Sequence, residues 1–373
     1  MKTDIVVVGN GPTARLAFLA LNGLGLEVVA VAPADDRRSD PRTTALMPSS
    51  VHALDRLGID VRPRSTALTE LVVETTGPLG LVSERFTADD AGEPFLAQNL
   101  FVADLMALMP IADPVDSDAA ALAFEATRTT VLTADGDRIE ARLVVAADGV
   151  GSTIREQAGI TLRRRTLDRH AYCAPAELER PHAGLCIERY DDIGTVTVIP
   201  VGERDASLIT IVEPGQANAL AALDGAAAGA WLSRRQPAYG AIRITGRPAL
   251  FPLSIGWAPE PARNRVVAVG EAAHVAPPIG AQGWNMAVAD IMALRAVLQS
   301  AQAAGIDIGS PRSLDAYARR RRPDLAGRMS AIGMLAGIAT RSDGPVGLMR
   351  QAGLLALSGF GGAKRKLMRT GLR

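Results

Sequence analysis

A chain of 373 residues has room for two domains, or for one large domain carrying an insertion. Forty acidic and forty basic residues cancel to a formal net charge of zero, and aromatics make up only 4%, which excludes nucleic-acid binding through bulk charge or stacking surfaces. Cys173 and Cys186 stand apart without CxxC spacing, so neither a metal nor a redox motif is present and a reduced, cytoplasmic setting is expected.

In chain order, MKTDIVVVGNG is too short in its apolar run for a signal-peptide core and reads as a buried strand over residues 4–8. A helix over 12–21, closed by Gly23 and Gly25, leads to a second buried strand over 27–32. This βαβ opening predicts a parallel sheet covered on both faces. A helix over 50–57 stops at Gly58; short strands fill 68–95, with turns at Thr76-Gly77-Pro78 and Ala91-Gly92. A helix near 102–109 precedes a hairpin of 130–132, the turn Asp135-Gly136-Asp137 and a strand over 139–146. Alternation in GTVTVIPVG and ASLITIV, within 185–212, predicts an antiparallel sheet. Strand returns over 251–269, and a strong helix covers 283–299. A further helix over 314–322 is expected to end before Pro323, and residues 325–357 read as mostly helical. No window holds 18 uninterrupted apolar residues, so no transmembrane helix is expected.

Three segments carry chemistry. GNGPTA (9–14) places Gly9, Gly11 and Ala14 between a strand and a helix, where backbone can approach a pyrophosphate and helix amides can meet it. The second strand ends in Val31-Ala32-Pro33 without the acid that usually holds the ribose; Asp35 and Asp36 are the nearest carboxylates. VVAADGVGSTIREQAGI (144–160) sets Asp148 and Gly149 at a strand's carboxyl end, as a cleft wall or, in the alternative, with Asp148 as a helix cap. GEAAHVAPPIGAQGWNMAVADI (270–291) leads through Gly280, Gly283 and Asn285 into a helix whose amides suit an electron-rich ring edge. Its lone His274 reads as structural rather than catalytic.

In this order the motifs resemble those of the class A flavoprotein monooxygenases, the fold group of para-hydroxybenzoate hydroxylase, and within it the ubiquinone-biosynthesis hydroxylases. DPRTTALMPSSVHALDRLG (40–58), ERPHAGLCIERY (179–190), DAYARRRRPD (315–324) and GLLALSGFGGAKRKLMR extend the similarity along nearly the whole chain. The resemblance implies an α/β fold: a Rossmann-like FAD-binding domain of the para-hydroxybenzoate hydroxylase and glutathione reductase type, over residues 1–67, 98–162 and 256–330. An inserted antiparallel-sheet substrate domain would take 68–97 and 163–255, and a helical C-terminal segment 331–373.

The implied cofactor is FAD, with NAD(P)H or another donor as transient reductant. Gly9, Gly11 and Ala14 would hold its pyrophosphate, Arg42 and Asn99 would line it, and Asp148 and Gly149 would close the cleft beside it. Gly270 and Glu271 would contact the ribityl chain; Pro278, Gly280, Gly283 and Asn285 would lie against the isoalloxazine. The implied reaction is ring hydroxylation of a polyprenylated phenol or quinol through a C4a-hydroperoxide of the flavin. The alternatives are a weakly flavinated scaffold of a quinone-biosynthesis complex and a hydroxylase of a soluble aromatic. Departures from the family pattern are Glu271 where an aspartate is usual, Trp284 in place of an aliphatic residue, and the missing ribose acid. No feature names an acid or base that activates the ring. Six basic residues and no acid between 344 and 373 suit a peripheral seat on the inner face of a membrane, or a solvated basic end.

Overall fold

The computed structural model describes residues 1–33, 42–339 and 344–359, together with 362, 364, 365 and 368. Asp35 and Asp36 lie outside the described residues, as does part of the basic tail.

The first strand, Lys2–Val8, lies between parallel partners Val28–Val31 and Arg138–Ala146, and the latter pairs in parallel with Val266–Ala268. These strands are apolar without alternation because helices and hairpins cover both faces, and Ile5, Val7, Val145 and Val267 are buried completely. Helices Pro12–Asn22 and Gln282–Ala303 pack on one face. The other face is closed by the short helix Thr153–Gln157 and by an antiparallel extension, Ala119–Phe124 on Thr129–Thr133 on the first half of Arg138–Ala146.

A second, nine-stranded sheet has the 16-residue strand Arg163–Leu178 as its spine. From there the order runs through Asp205–Val212, Gly194–Val201, Leu185–Tyr190 and Glu70–Gly77 to Gly80–Thr87. Every pairing is antiparallel except Leu185–Tyr190 with Glu70–Gly77. On its other side the spine pairs with Ala249–Trp257 and Ile242–Ile244. Helix Gly225–Arg235 covers one face through Leu232 and Trp231; the opposite face is open to a cavity. A three-stranded sheet, Thr43–Leu46, Ala97–Phe101 and Thr66–Leu68, bridges the two larger ones.

One expectation fails at Pro323, since the helix does not end there but runs unbroken over Pro311–Ala339. An internal proline costs about 3 kcal/mol. Downstream, Leu325, Met329 and Ile332 are buried against Ile255 and Met286, and each such burial contributes roughly 1.5–3 kcal/mol. Tertiary packing therefore outweighs the local penalty. The Ala91-Gly92 turn proves to be a helix end: Ala88–Ala91 forms a single turn capped by Thr87 and closed by left-handed Gly92. Among the described residues no helix is long and apolar enough to cross a membrane.

Candidate active site

Three loops meet at the carboxyl ends of the parallel strands. Gly9 leaves the first strand at φ +123°, and a Cβ there would stand 2.5 Å from the Ala147 carbonyl oxygen, so only glycine lets the first and second motif loops touch. Gly270, at φ +58°, packs against Thr13, where a Cβ would come within 2.7 Å of Cγ2. Gly11 begins helix Pro12–Asn22 with no side-chain cap, which leaves first-turn amides open to the cavity. Ala14 lies behind them in the core and allows close helix–strand packing.

In the second motif, Ser152 caps helix Thr153–Gln157 by accepting the Arg155 amide at 3.0 Å. Asp148 also reaches this helix end, accepting from Ser152 and from the Ile154 amide, so the capping alternative holds beside the cleft-wall one; its buried Oδ1 has no partner among the described residues. Burial pushes the Asp148 carboxyl above the ordinary carboxylate range, against the opposing hydrogen bond from Ser152.

These loops open on one cavity of about 1370 Å³. Gly9, Gly11, Arg42, Asn99, Asp148, Gly149, Glu271, Pro278, Gly280 and Gly283 line it; Ala14, Gly270 and Asn285 support it from behind. The cavity continues past the open face of the nine-stranded sheet to a mouth between the C-terminal helices, at Leu335 and Met349. Arg42 holds its guanidinium 5.1 Å above the Phe251 ring. Asn285 donates to the carbonyls of Ala45 at 2.8 Å and Ala281 at 2.6 Å and accepts the Met47 amide at 3.0 Å, tying the long helix to strand Thr43–Leu46.

That helix starts from two left-handed residues, Gly280 at φ +64° and Ala281 at φ +53°. For alanine this conformation costs on the order of 1–2 kcal/mol. It leaves the first-turn amides of a 22-residue helix without a side-chain cap at the cavity wall.

Asn99 is 0% exposed, yet among the described residues neither atom of its amide has a partner, and the buried Trp284 indole N–H is likewise unmatched. Each such orphan costs roughly 1–3 kcal/mol unless a ligand meets it. Both line the cavity, as does Asp148. Bare backbone amides, orphaned amide and indole groups and a narrow glycine cradle fit a large ligand that is polar at one end and flat at the other.

Behind the third motif lies a polar network that sequence reasoning missed. Asp290 is 0% exposed and accepts from the Gly270 amide at 3.0 Å, lies 2.7 Å from His274 Nε2, and accepts from Arg321 Nε at 2.6 Å. Arg321 also donates to Asp324 at 2.6 Å. Burial alone would raise the Asp290 carboxyl, but His274 and Arg321 hold it below the usual range. His274 is 2% exposed and belongs to this network, in keeping with its structural reading.

The FAD binding domain family matches residues 2–329. The chain belongs to that family. It is 28% identical to the ubiquinone hydroxylase UbiL of Rhodospirillum rubrum, over 98% of this chain and 88% of that protein. It is 27% identical to the mitochondrial ubiquinone biosynthesis monooxygenase COQ6 of Xenopus tropicalis, over 63% of this chain and only 58% of that protein's length. The crystal structure of Pseudomonas aeruginosa PqsL in complex with 2-aminobenzoylacetate shares the fold, with a TM-score of 0.80 at 21% identity over 95% of this chain and all of that one. FAD is the cofactor, and the chain is a flavoprotein monooxygenase by family. The ligand that the cavity's polar end fits is thereby named.

Proposed function

We propose that the protein hydroxylates the ring of a polyprenylated phenol or quinol intermediate of ubiquinone biosynthesis. The observation that carries this reading is the single cavity joining the dinucleotide fingerprint to an apolar mouth. At about 1370 Å³ it exceeds the roughly 300–1,000 Å³ of ordinary ligand pockets, with room for a dinucleotide and a second molecule end to end. UbiL, similar along nearly the whole chain, supports the choice of substrate.

In this reading Gly9, Gly11 and the first-turn amides hold the FAD pyrophosphate, while Asp148 and Gly149 close the cleft beside it. Arg42 and Asn99 line the cofactor, Gly270 and Glu271 meet the ribityl chain, and residues 278–285 back the isoalloxazine. The helix dipole behind Ala281 favours the negative charge of the reduced ring. Once reduced by NAD(P)H or another donor, FAD supplies the oxygen-activating chemistry. The protein positions the ring, and the apolar sheet face keeps water away.

The mouth is apolar outside as well: Met334 is 69% exposed and Met349 67%, with Leu335, Leu348 and Leu355 beside them. Such a patch suits the surface of a membrane holding a prenyl tail. Of the described basic residues of the tail, two are engaged within the protein and Arg365 is exposed: Lys364 pairs with Glu84 at 2.8 Å and Asp90 at 3.3 Å, and Arg350 donates to Thr75 at 2.6 Å. Apolar contact therefore leads in this peripheral, cytoplasmic-face reading.

The test is complementation of strains that each lack one ubiquinone hydroxylation, with flavin content of the purified protein read in parallel by absorbance. Ubiquinone restored in one strain supports the reading. A fully flavinated protein that restores none of them overturns it in favour of a soluble aromatic substrate, and failure to bind FAD at all returns the scaffold alternative.

A further inference from the structure

The strand Leu185–Tyr190 alternates sharply. Ile187 enters the core under helix Gly225–Arg235, while Cys186, Glu188 and Tyr190 line the cavity from the opposite face. None of the cofactor roles above uses Glu188. It is a carboxyl set in an apolar wall, among Val73, Ile199 and Ile209. The Tyr190 hydroxyl donates to its Oε1. Tyr190 belongs to one apolar cluster with Ile279, from the turn that backs the proposed isoalloxazine seat, and with Phe251, beneath Arg42. The Glu188–Tyr190 pair thus sits where the cofactor seat meets the substrate wall.

Burial pushes the Glu188 carboxyl above the ordinary range, and the Tyr190 hydrogen bond draws part of that back. The charged and titratable groups around it are few. Cys186 and Tyr190 face the cavity from its own strand, both thiol and phenol raised by burial. Arg350, from the C-terminal helix, holds its guanidinium 5.3 Å from the Tyr190 ring, and Arg42 lines the same cavity. The strand partners Val73 and Thr197 do not titrate.

We propose that Glu188 accepts the ring hydroxyl of the phenolic substrate and takes its proton as oxygen is transferred, with Tyr190 as its positioning residue. The step rests on the hydroxylase reading above. The phenol O–H bond breaks and its proton goes to the Glu188 carboxylate, which becomes a neutral acid. The electron pair left on the phenol oxygen delocalises into the ring and makes the carbons ortho and para to it nucleophilic. The proton transfer itself moves no electrons. The two-electron oxidation of the ring comes from oxygen through the flavin monooxygenase activity. The displaced ring hydrogen leaves as a proton, and Glu188 gives its own proton back when the product leaves as a phenol. A raised carboxyl in an apolar wall is poised nearer neutrality than an ordinary glutamate, as a general base requires.

The experiment uses the FAD-loaded protein and begins without turnover. Binding of 4-methylphenol and of 4-methylanisole, which lacks the O–H, is followed by the flavin spectrum. Wild type is expected to prefer the phenol by about tenfold or more, as a hydrogen bond to a charged acceptor implies. Glu188→Ala removes the preference. Glu188→Gln keeps an acceptor and part of the preference, but its kcat for phenol hydroxylation falls by roughly 10²–10³-fold at unchanged flavin loading. Tyr190→Phe moves the acidic limb of the kcat profile to higher pH. An undiminished preference in Glu188→Ala, no preference in wild type, or wild-type kcat in Glu188→Gln overturns the proposal. A wild-type protein that binds phenols selectively but hydroxylates none overturns the function reading, while the selectivity alone still decides whether Glu188 accepts the hydroxyl.

Discussion

Asp290→Asn tests the network that holds the third motif. Asparagine keeps the shape but places an NH₂ where one carboxylate oxygen stood. That NH₂ must face either Arg321 Nε, now at 2.6 Å, or the Gly270 amide and His274 Nε2, at 3.0 and 2.7 Å. Either way donor meets donor in a fully buried site, and among the described residues Arg321 keeps Asp324 as its counter-charge. Removing one partner of a buried ion pair costs about 3–5 kcal/mol. Because asparagine still accepts on one side and Asp324 remains, we expect the lower end, about 3 kcal/mol. The assay is denaturant unfolding followed by circular dichroism and tryptophan fluorescence, with flavin content read on the same samples. The pH dependence carries a sign. The Asp290 carboxyl is lowered in the folded state, so its contribution is complete above the unfolded carboxylate value of about 3.9 and is lost as pH falls through and below it. The variant should flatten that acid limb. A loss below about 1 kcal/mol, or an unchanged acid limb, refutes the assignment of Asp290 as the anchor.

Gly9→Ala should abolish flavin binding, because the new methyl would meet the Ala147 carbonyl at 2.5 Å in a φ that alanine avoids; normal flavin content would refute it. Glu271→Ala, at an exposed cavity position, should weaken FAD affinity with stability changed by no more than about 0.5 kcal/mol. His274→Ala should do the reverse first, costing about 1–3 kcal/mol by leaving Asp290 short of a partner, as thermal melting with and without FAD would show. Leu325→Ala should cost about 2–5 kcal/mol in the same melt, because the helix that continues past Pro323 buries this side chain against Ile255 and Met286; a loss below about 1 kcal/mol would refute that packing. Leu348→Ser with Met349→Ser should reduce co-sedimentation with anionic vesicles without changing flavin content.

Much of the frame was legible in the sequence because its signals are local. The unbroken apolar strand that runs into Gly9, Gly11 and Pro12 admits little besides a strand, a tight turn and a helix. Ten of the thirteen expected site residues, Gly9 to Gly283, do line one cavity. The strand Arg163–Leu178 escaped notice because its first half, RRRTLDRH, is polar; it is held by pairing with Ala249–Trp257 rather than by its own pattern. Pro323 misled because a breaker acts locally, whereas Leu325 and Arg321 are fixed by partners far along the chain. The Glu188–Tyr190 pair is visible only after folding. Its letters lie in a stretch already matched to the family, but which face they take depends on the pairing with Glu70–Gly77.

That last pairing has a consequence for how the protein is made. Strand Leu185–Tyr190 joins Glu70–Gly77 side by side although more than a hundred residues separate them, and the parallel sheet waits for Val266–Ala268 and for the helix after it. A nascent chain halted near residue 180 would therefore hold neither large sheet complete, with apolar edges exposed on both. Assembly is expected to be late and cooperative, sensitive to chaperone supply during synthesis, and tolerant of no early stop that leaves a working fragment.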